Sequence, residues 1–413
     1  MDVWAEDGTK SELPLRRNWR FQALWIGGAG AVMSFNITSV VVPLLVLAIT
    51  GSPVAAGLYA LAEGIAAFAS SVPAGLMLDR FNRRTLLISA EFARAGVFAL
   101  VTVLLVIDGL NFPVLLIAAV VTGALQPLAG GARMLATRSV VSPSQLTAAL
   151  TQEEVRTHAA AIAGPAIAGL VYATSRLLAT SCITIGYLLS ALCACAMPRD
   201  RGMARSAPGM PRGGLLSGFT FLLRTPLLRA AIIAIGLLNL AGAALELIVI
   251  VLIQSSGGSA ADVGFAFALA AAGGLLGTTL VGTLHRLRPG WLLIALSTWA
   301  GVITTGLLIP PAGPWWYGIV LGLIAVPIPA AVVLIDILIF RQVEDAHRGR
   351  TITATITILT VGPSLGPLLA GILLQYVGSA ESVAAFSLIF LASAAYALSN
   401  TALRQARWPE PAQ

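Results

Sequence analysis

Apolar runs of about twenty residues recur along the whole chain, and arginines collect in every second gap between them. Twenty residues of α-helix rise about 30 Å, the thickness of a bilayer's hydrocarbon core. Inside that layer no water satisfies backbone N–H and C=O groups, so each run must close its hydrogen bonds internally as a helix. Composition argues the same way. Of 413 residues, 57% are hydrophobic and 10% charged, where a soluble domain carries about a quarter charged. That leaves too little polar surface to cover a water-soluble globule of this length. The chain therefore reads as an all-α integral membrane protein.

Turn signals between the runs predict helices over residues 21–49, 54–79, 85–107, 113–136, 147–173 and 177–197, then 227–253, 260–284, 290–309, 315–340, 351–376 and 382–403. These are about 12 transmembrane helices in two sets of six. Arginine accumulates in cytoplasmic loops and so sets the orientation. Lys10, Arg16, Arg17 and Arg20 precede the first span, and Arg80, Arg83 and Arg84 follow the second. Arg133 and Arg138, the group from Arg199 to Arg212, Arg286 and Arg288, the group from Arg341 to Arg350, and Arg404 and Arg407 keep the same parity, while the opposite loops hold only Arg176. Both termini are expected in the cytoplasm of a multi-pass protein of the inner (plasma) membrane. The expected organisation is a tail over 1–20, a six-helix bundle over 21–197, a linker over 198–226, a second bundle over 227–403 and a tail over 404–413. Within the linker, Leu215, Leu216, Phe219 and Leu222 stand at helical spacing and predict a short helix on the membrane surface.

Several function classes fall away. The formal net charge of +7 comes from loop arginines rather than a basic patch, so no nucleic-acid partner is expected. Cys182, Cys193 and Cys195 share one predicted helix, and residues two apart on a helix do not face each other, so neither a disulfide nor a metal site is expected. The first twenty residues, with Asp2, Glu6, Asp7 and Glu12 ahead of Arg16, Arg17 and Arg20, contain no apolar stretch or cleavage signal, so no removable signal peptide is read there. Metalloprotease, phosphate-loop and activated-nucleophile motifs are absent, so the chain reads as neither an enzyme nor a cofactor binder.

Internal repetition supports two related halves. Gly164-Pro165-Ala166-Ile167-Ala168-Gly169 in the fifth span recurs as Gly366-Pro367-Leu368-Leu369-Ala370-Gly371 in the eleventh. Carriers use such repeats to build two gates around one central site.

Between the second and third spans stands Gly75-Leu76-Met77-Leu78-Asp79-Arg80-Phe81-Asn82-Arg83-Arg84. A carboxylate at a helix end followed by arginines in a tight turn can engage the positive N-terminus of a neighbouring helix and latch two bundles together. The segment resembles the signature G-x-L-x-D-[RK]-x-G-[RK]-[RK] of the major facilitator superfamily, with Met77 for Leu and Asn82 for Gly. Asparagine is the non-glycine residue that best tolerates a left-handed turn. The corresponding loop of the second half, from Gly282 to Pro289, lacks the acid, so the latch is expected to be asymmetric. Ala160, Gly164, Pro165, Ala168 and Gly169 resemble the superfamily's antiporter motif G-x-x-x-G-P-x-x-G-G, with alanine twice for glycine. The resemblance implies the two-bundle major facilitator fold and secondary transport, and the second motif implies export. Val141 to Ala149 and Arg348-Gly349-Arg350 are similar to loops of bacterial macrolide and siderophore exporters, although that group has asparagine where Ala149 stands.

Ionisable residues inside spans are costly and mark function. Glu63 lies about 14 Å along the second helix from its outer end, and Glu246 lies in the outer half of the seventh; neither has a basic neighbour in sequence. Desolvation disfavours their charged forms, which makes both candidates for carrying a coupling proton. Glu91 and Arg94, three apart, form an expected intrahelical pair. Arg133 and Asp336, near cytoplasmic helix ends, are gate candidates. The family resemblance implies that the first, fourth, seventh and tenth helices surround the cavity, which makes Asn36, Gln126, Asn239 and Glu246 candidates for substrate contact. So few polar groups suit an amphiphilic organic molecule better than a sugar.

The expected function is proton-coupled efflux of an antibiotic, siderophore or related amphiphile by a monomer, as in multidrug resistance. An uptake symporter or lysolipid transporter on the same fold, and a non-transporting sensor, are the alternatives.

Overall fold

The computed structural model describes residues 14–197, 217–309, 313–342, 345–406 and 408. Most of the expected linker and of both tails, and Leu215 and Leu216, lie outside the described residues. Within them every regular element is helical. The first half comprises α1 (Trp19–Thr50), α2 (Pro53–Arg80), α3 (Arg83–Val106), α4 (Phe112–Val140), α5 (Leu146–Thr174) and α6 (Arg176–Ala194). A short α7 (Ser217–Arg224) leads into α8 (Pro226–Ser255), α9 (Ala260–Leu284), α10 (Pro289–Thr304), α11 (Pro314–Ala325), α12 (Ile328–Gln342), α13 (Asp345–Tyr376), α14 (Ser379–Ser399) and α15 (Thr401–Arg404).

Local chemistry sets the helix ends. Asn18, Ser52, Asn111 and Ser175 cap α1, α2, α4 and α6 through side-chain oxygens that accept from backbone N–H groups of the first turn. α1 ends at Gly51, whose φ of 64° needs no Cβ to be tolerated. Ser259 and Asp262 form a reciprocal capping box on α9.

Among the described residues, eleven segments are long and apolar enough to cross a membrane. α5, the fifth in order, supplies the remaining span, and its first turns carry Glu153, Glu154 and Arg156. The tenth span is broken rather than continuous: α11 stops at Ala325 and α12 restarts at Ile328. Pro327 and Pro329 explain the break, since each lacks an N–H and clashes with the preceding turn. The twelfth span ends at Ser399, where Asn400 caps the separate turn α15. α7 exists as expected, but Leu222 is 1% exposed and packs with Leu228, Leu334 and Leu338, so that side of the helix is buried in the second half rather than resting on a lipid surface.

In the first half α1 packs on α5 and α6, α2 on α4, and α3 on α4 and α6; in the second, α8 packs on α13 and α14, α9 on α11, and α10 on α14. The halves meet along α2 with α13 and α5 with α9. Moving every helix by six spans exchanges these two pairings, so the interface carries the pseudo-symmetry.

The repeated Gly-Pro segment sits on that symmetry. A Cβ on Gly164 would strike Asn36 of α1, and one on Gly366 would strike Leu240 of α8, the seventh span. One on Gly169 would stand 2.5 Å from Gly264 of α9, while one on Gly371 would strike Pro53 of α2. Each copy therefore presses one glycine into its own half and another across to the opposite half.

The buried core shows which end is closed. At the face away from the arginines, one cluster runs through both halves, joining Val41, Leu45 and Ala168 to Ile248, Val263 and Ala370. Toward the arginine-rich face the core divides. One cluster there belongs to the first half (Leu87, Ala132, Ala194) and a separate one to the second (Leu228, Leu293, Leu338).

Candidate functional site

Between the halves lies a cavity of about 650 Å³. α1 contributes Asn36 and Ser39, α5 contributes Pro165, and α8 contributes Glu246. α9 lines it from Phe267 to Val281, about 21 Å of helix toward the arginine-rich face. Ala325 of α11 and Pro329 of α12 complete the wall at the broken span. The cavity thus occupies the gap left where the core divides.

The far face is shut by close backbone approach and one polar clasp. Gly57 of α2 admits Pro367 and Leu368 of α13, with the Pro367 carbonyl oxygen 2.5 Å from where a Cβ would be. The Ser52 hydroxyl donates to Gln375 Oε1 at 2.6 Å, and the Val54 N–H reaches the same oxygen at 3.3 Å. On the other side of the interface, Gly169 and Gly264 hold α5 against α9.

Among the described residues, Glu246 is the one ionisable side chain lining the cavity. It is exposed to that space and lies about 14 Å along α8 from its far-face end. Asn36 shares the lining, with its amide nitrogen donating to the Val32 carbonyl at 2.8 Å. Gln126 and Asn239, expected beside them, are half-buried in α4 and α8 and do not line the cavity. The fifth and eighth spans, not expected at the cavity, also line it, and their runs of alanine and glycine let helices approach closely enough to enclose a space between them. That Ala-Gly richness from Ala268 to Gly277 was the available signal.

Glu63 belongs to the interior of the first half. Its backbone carbonyl abuts Gly123 of α4, and its side chain lies close enough to Arg94 to feel that charge. Arg94 and Glu91 pair at 3.6 Å as expected, but within a larger cluster. Arg133 of α4 bonds Glu91 across the helices and donates to the Ser190 hydroxyl at 2.8 Å. Arg94 donates to the Tyr187 hydroxyl at 2.7 Å, with its guanidinium 4.1 Å from that ring's centre. Arg133 is 7% exposed inside the bundle, so its placement does not match the gate expected of it. The side chain of Asp336, the other gate candidate, lies outside the described residues.

The loop at the arginine-rich face is open. Gly75 has nothing within 4 Å of its Cβ position, and Asp79 and Arg80 are exposed. Arg83 stands half-buried beside them. Arg84 donates to the Cys195 carbonyl at 2.9 Å, a cation on the C-terminal end of α6. The second half's loop is instead pinned by the chain's end: the Trp408 indole donates to the Leu287 carbonyl at 2.7 Å and its ring packs 4.9 Å from that of His285.

Three comparisons bear on this arrangement. The family model described as Major Facilitator Superfamily matches residues 24–335. Enterobactin exporter EntS of Shigella boydii serotype 18 (strain CDC 3083-94 / BS512) is 28% identical over 320 residues, covering 74% of this chain and 73% of that protein. The same-named exporter of Escherichia coli O127:H6 (strain E2348/69 / EPEC) is 27% identical over 318 residues, 74% of this chain and 73% of that one. Among solved structures, a bacterial homolog of the human lysosomal transporter Spinster, inward-facing and unoccupied, superposes with a TM-score of 0.73 at 15% identity, over 98% of this chain and 100% of that chain. A bacterial homologue of the iron transporter ferroportin, also inward-facing, gives 0.68 at 17% identity over 92% and 100%. At such identities the structural likeness speaks to the fold alone.

Proposed function

Because the chain belongs to the major facilitator superfamily, and is therefore a multi-pass membrane transporter, we propose that it exports an apolar or amphiphilic small molecule in exchange for protons, by alternating access. The observation that carries this reading is the apolar cavity between the halves, with one carboxylate among its described lining residues. A site with few convergent polar groups orients an amphiphile but leaves the hydroxyls of a sugar unpaired. Coupling needs a group that changes charge inside that site, and Glu246, which lines it, is the first candidate; Glu63, half-buried in the first half, is the second. The enterobactin exporters it resembles favour export, and the Gly164-Pro165 motif points the same way.

Taking the arginine-rich face as cytoplasmic, with both termini there in an inner membrane, the described conformation is the one that loads cargo from the cell. The outward-facing state then closes the opposite end. In that state Asp79, exposed and unpaired among the described residues here, meets a helix terminus of the second half and latches it, with Arg80 and Arg83 steering the approach.

A susceptibility screen of antibiotics and chelators in a pump-deficient host would identify a cargo, and everted vesicles then test the direction. Cargo should accumulate inside when the lumen is acidified, and Asp79→Asn should slow this about tenfold, matching about 1.4 kcal/mol lost from the latched state. Accumulation driven only by an alkaline lumen would make the chain an uptake symporter instead.

A further inference from the structure

We propose that the cargo is an apolar molecule bearing O–H or N–H groups, recognised by two main-chain carbonyls, of Ala161 on α5 and Ala325 on α11, that prolines leave without their helical partners. The proposal rests on the transport reading above and narrows it to a substrate class. In an α-helix each carbonyl accepts from the N–H four residues on, and proline has none to give. Pro165 therefore deprives the Ala161 carbonyl of that bond, and Pro329 does the same to Ala325 across the break in the tenth span. Residues four apart share a helix face. Here that face looks into the cavity, since Ala161 with Pro165, and Ala325 with Pro329, all line it. Ala161 is exposed and Ala325 is half-buried. Among the described residues no other proline lines the cavity. Each half thus supplies one freed carbonyl.

The polar side chains of the wall add acceptors more than donors. Besides Glu246, the described ones are Asn36, Ser39 and Thr278. These three turn hydrogens back onto their own helices: Asn36 donates to the Val32 carbonyl at 2.8 Å, Ser39 to the Asn36 carbonyl at 2.9 Å and Thr278 to the Leu275 carbonyl at 2.7 Å. A neighbouring carbonyl shows what such a freed oxygen takes. Pro327 has no N–H for Leu323, and the Trp299 indole fills the place, donating to the Leu323 carbonyl at 2.7 Å. Leu323 does not line the cavity, and the protein supplies its donor. At Ala161 and Ala325 the space a donor would fill is the cavity itself.

An apolar wall with freed acceptors sorts molecules by their hydrogens. A cargo with O–H or N–H groups exchanges bonds to water for bonds to the carbonyls. An ether of the same shape displaces that water and leaves the carbonyls unpaired, which costs more than the bond itself is worth. Main-chain oxygens also stay in place when lining side chains change, so recognition of this kind requires a donor without fixing the skeleton that carries it. The volume of about 650 Å³ lies within the roughly 300–1,000 Å³ of small-molecule sites.

Bisphenol A and its dimethyl ether provide the test, since they share an apolar body, differ in their two O–H groups and are both uncharged near neutral pH, a phenol titrating near pH ~10. On purified full-length protein in one detergent, with partition into empty micelles subtracted, the bisphenol should bind at least about tenfold tighter than the ether. Pro165→Ala and Pro329→Ala each return an N–H to one carbonyl. Each should lower that preference, and the two together should bring it below about twofold. Pro327→Ala, whose carbonyl already has the Trp299 indole, should keep it. Equal or absent binding of the two probes by the wild type, or a preference unchanged in both single variants, overturns the proposal. So does an equal loss in Pro327→Ala, because straightening the span would then suffice. If the double variant does not fold, the single variants decide. With no gradient in the measurement, donor-selective binding alongside failed vesicle export counts against the export reading alone. Vesicle export of a cargo without any O–H or N–H group counts against this proposal alone.

Discussion

Glutamine in place of Glu91 is expected to cost the protein about 3–5 kcal/mol of stability, the usual penalty for removing one partner of a buried ion pair. The cluster in the first half holds one carboxylate against two guanidinium groups, and Glu91 is fully buried while Arg94 and Arg133 are 5% and 7% exposed. Without Glu91, two like charges remain in the bundle interior, hydrogen-bonded to Ser190 and Tyr187 and with Glu63 as the nearest remaining carboxylate. Arg133→Gln is a different matter, because it leaves Glu91 and Arg94 as a neutral pair at 3.6 Å. The ordering is therefore sharp: Glu91→Gln should be clearly worse than Arg133→Gln, read as the loss of thermal unfolding temperature in detergent. Equal losses, or the reverse order, would show that the three groups do not share charge in this way.

A leucine at Gly169 should empty the conformation described here. Its Cβ would stand 2.5 Å from Ala260 O and from Gly264 N and Cα, all backbone atoms that cannot swing aside. Overpacking of this kind costs about 1–3 kcal/mol, and it falls on the closed far face alone, since the contact is lost when α5 and α9 part. The far-face-closed state should thus lose about tenfold to a hundredfold in population, with transport falling in step. Cysteines placed at Ser52 and Gln375, whose side chains touch at 2.6 Å, report that closure by their rate of disulfide formation once Cys182, Cys193 and Cys195 have been replaced. An unchanged crosslinking rate in Gly169→Leu would remove the glycine contact from the gating account.

The spans themselves were readable because a hydrocarbon layer leaves one choice of backbone and a fixed length. The reading of 260–284 for the eighth span coincides with α9, and 54–79 differs from α2 by one residue at each end. The broken tenth span was less visible, since Val326-Pro327-Ile328-Pro329 is apolar throughout and hydropathy runs straight across it. At the site, Asn36 and Glu246 were found because a polar group inside a span has few reasons to be there. Gln126 and Asn239 passed the same filter and do not line the cavity, for the period of an apolar helix does not say which side looks into it. The bond from Arg133 to Glu91 joins residues 42 apart on different helices. No local pattern announces such a pair, and only the packing of α3 on α4 reveals that a residue near a helix end is anchored inward.

The glycine contacts at Gly57, Gly169 and Gly371 also have a consequence for ionic strength. They bring backbone against backbone and involve no net charge, so dissolved salt has nothing there to screen. The proposed Asp79 latch at the other face is exposed, and its attraction fades as the Debye length shrinks from about 8 Å at physiological salt to about 3 Å at 1 M. Salt should therefore weaken one gate and spare the other, drawing the carrier toward the conformation described here. The Ser52–Gln375 crosslink should form faster as salt rises, and Asp79→Asn should erase that dependence.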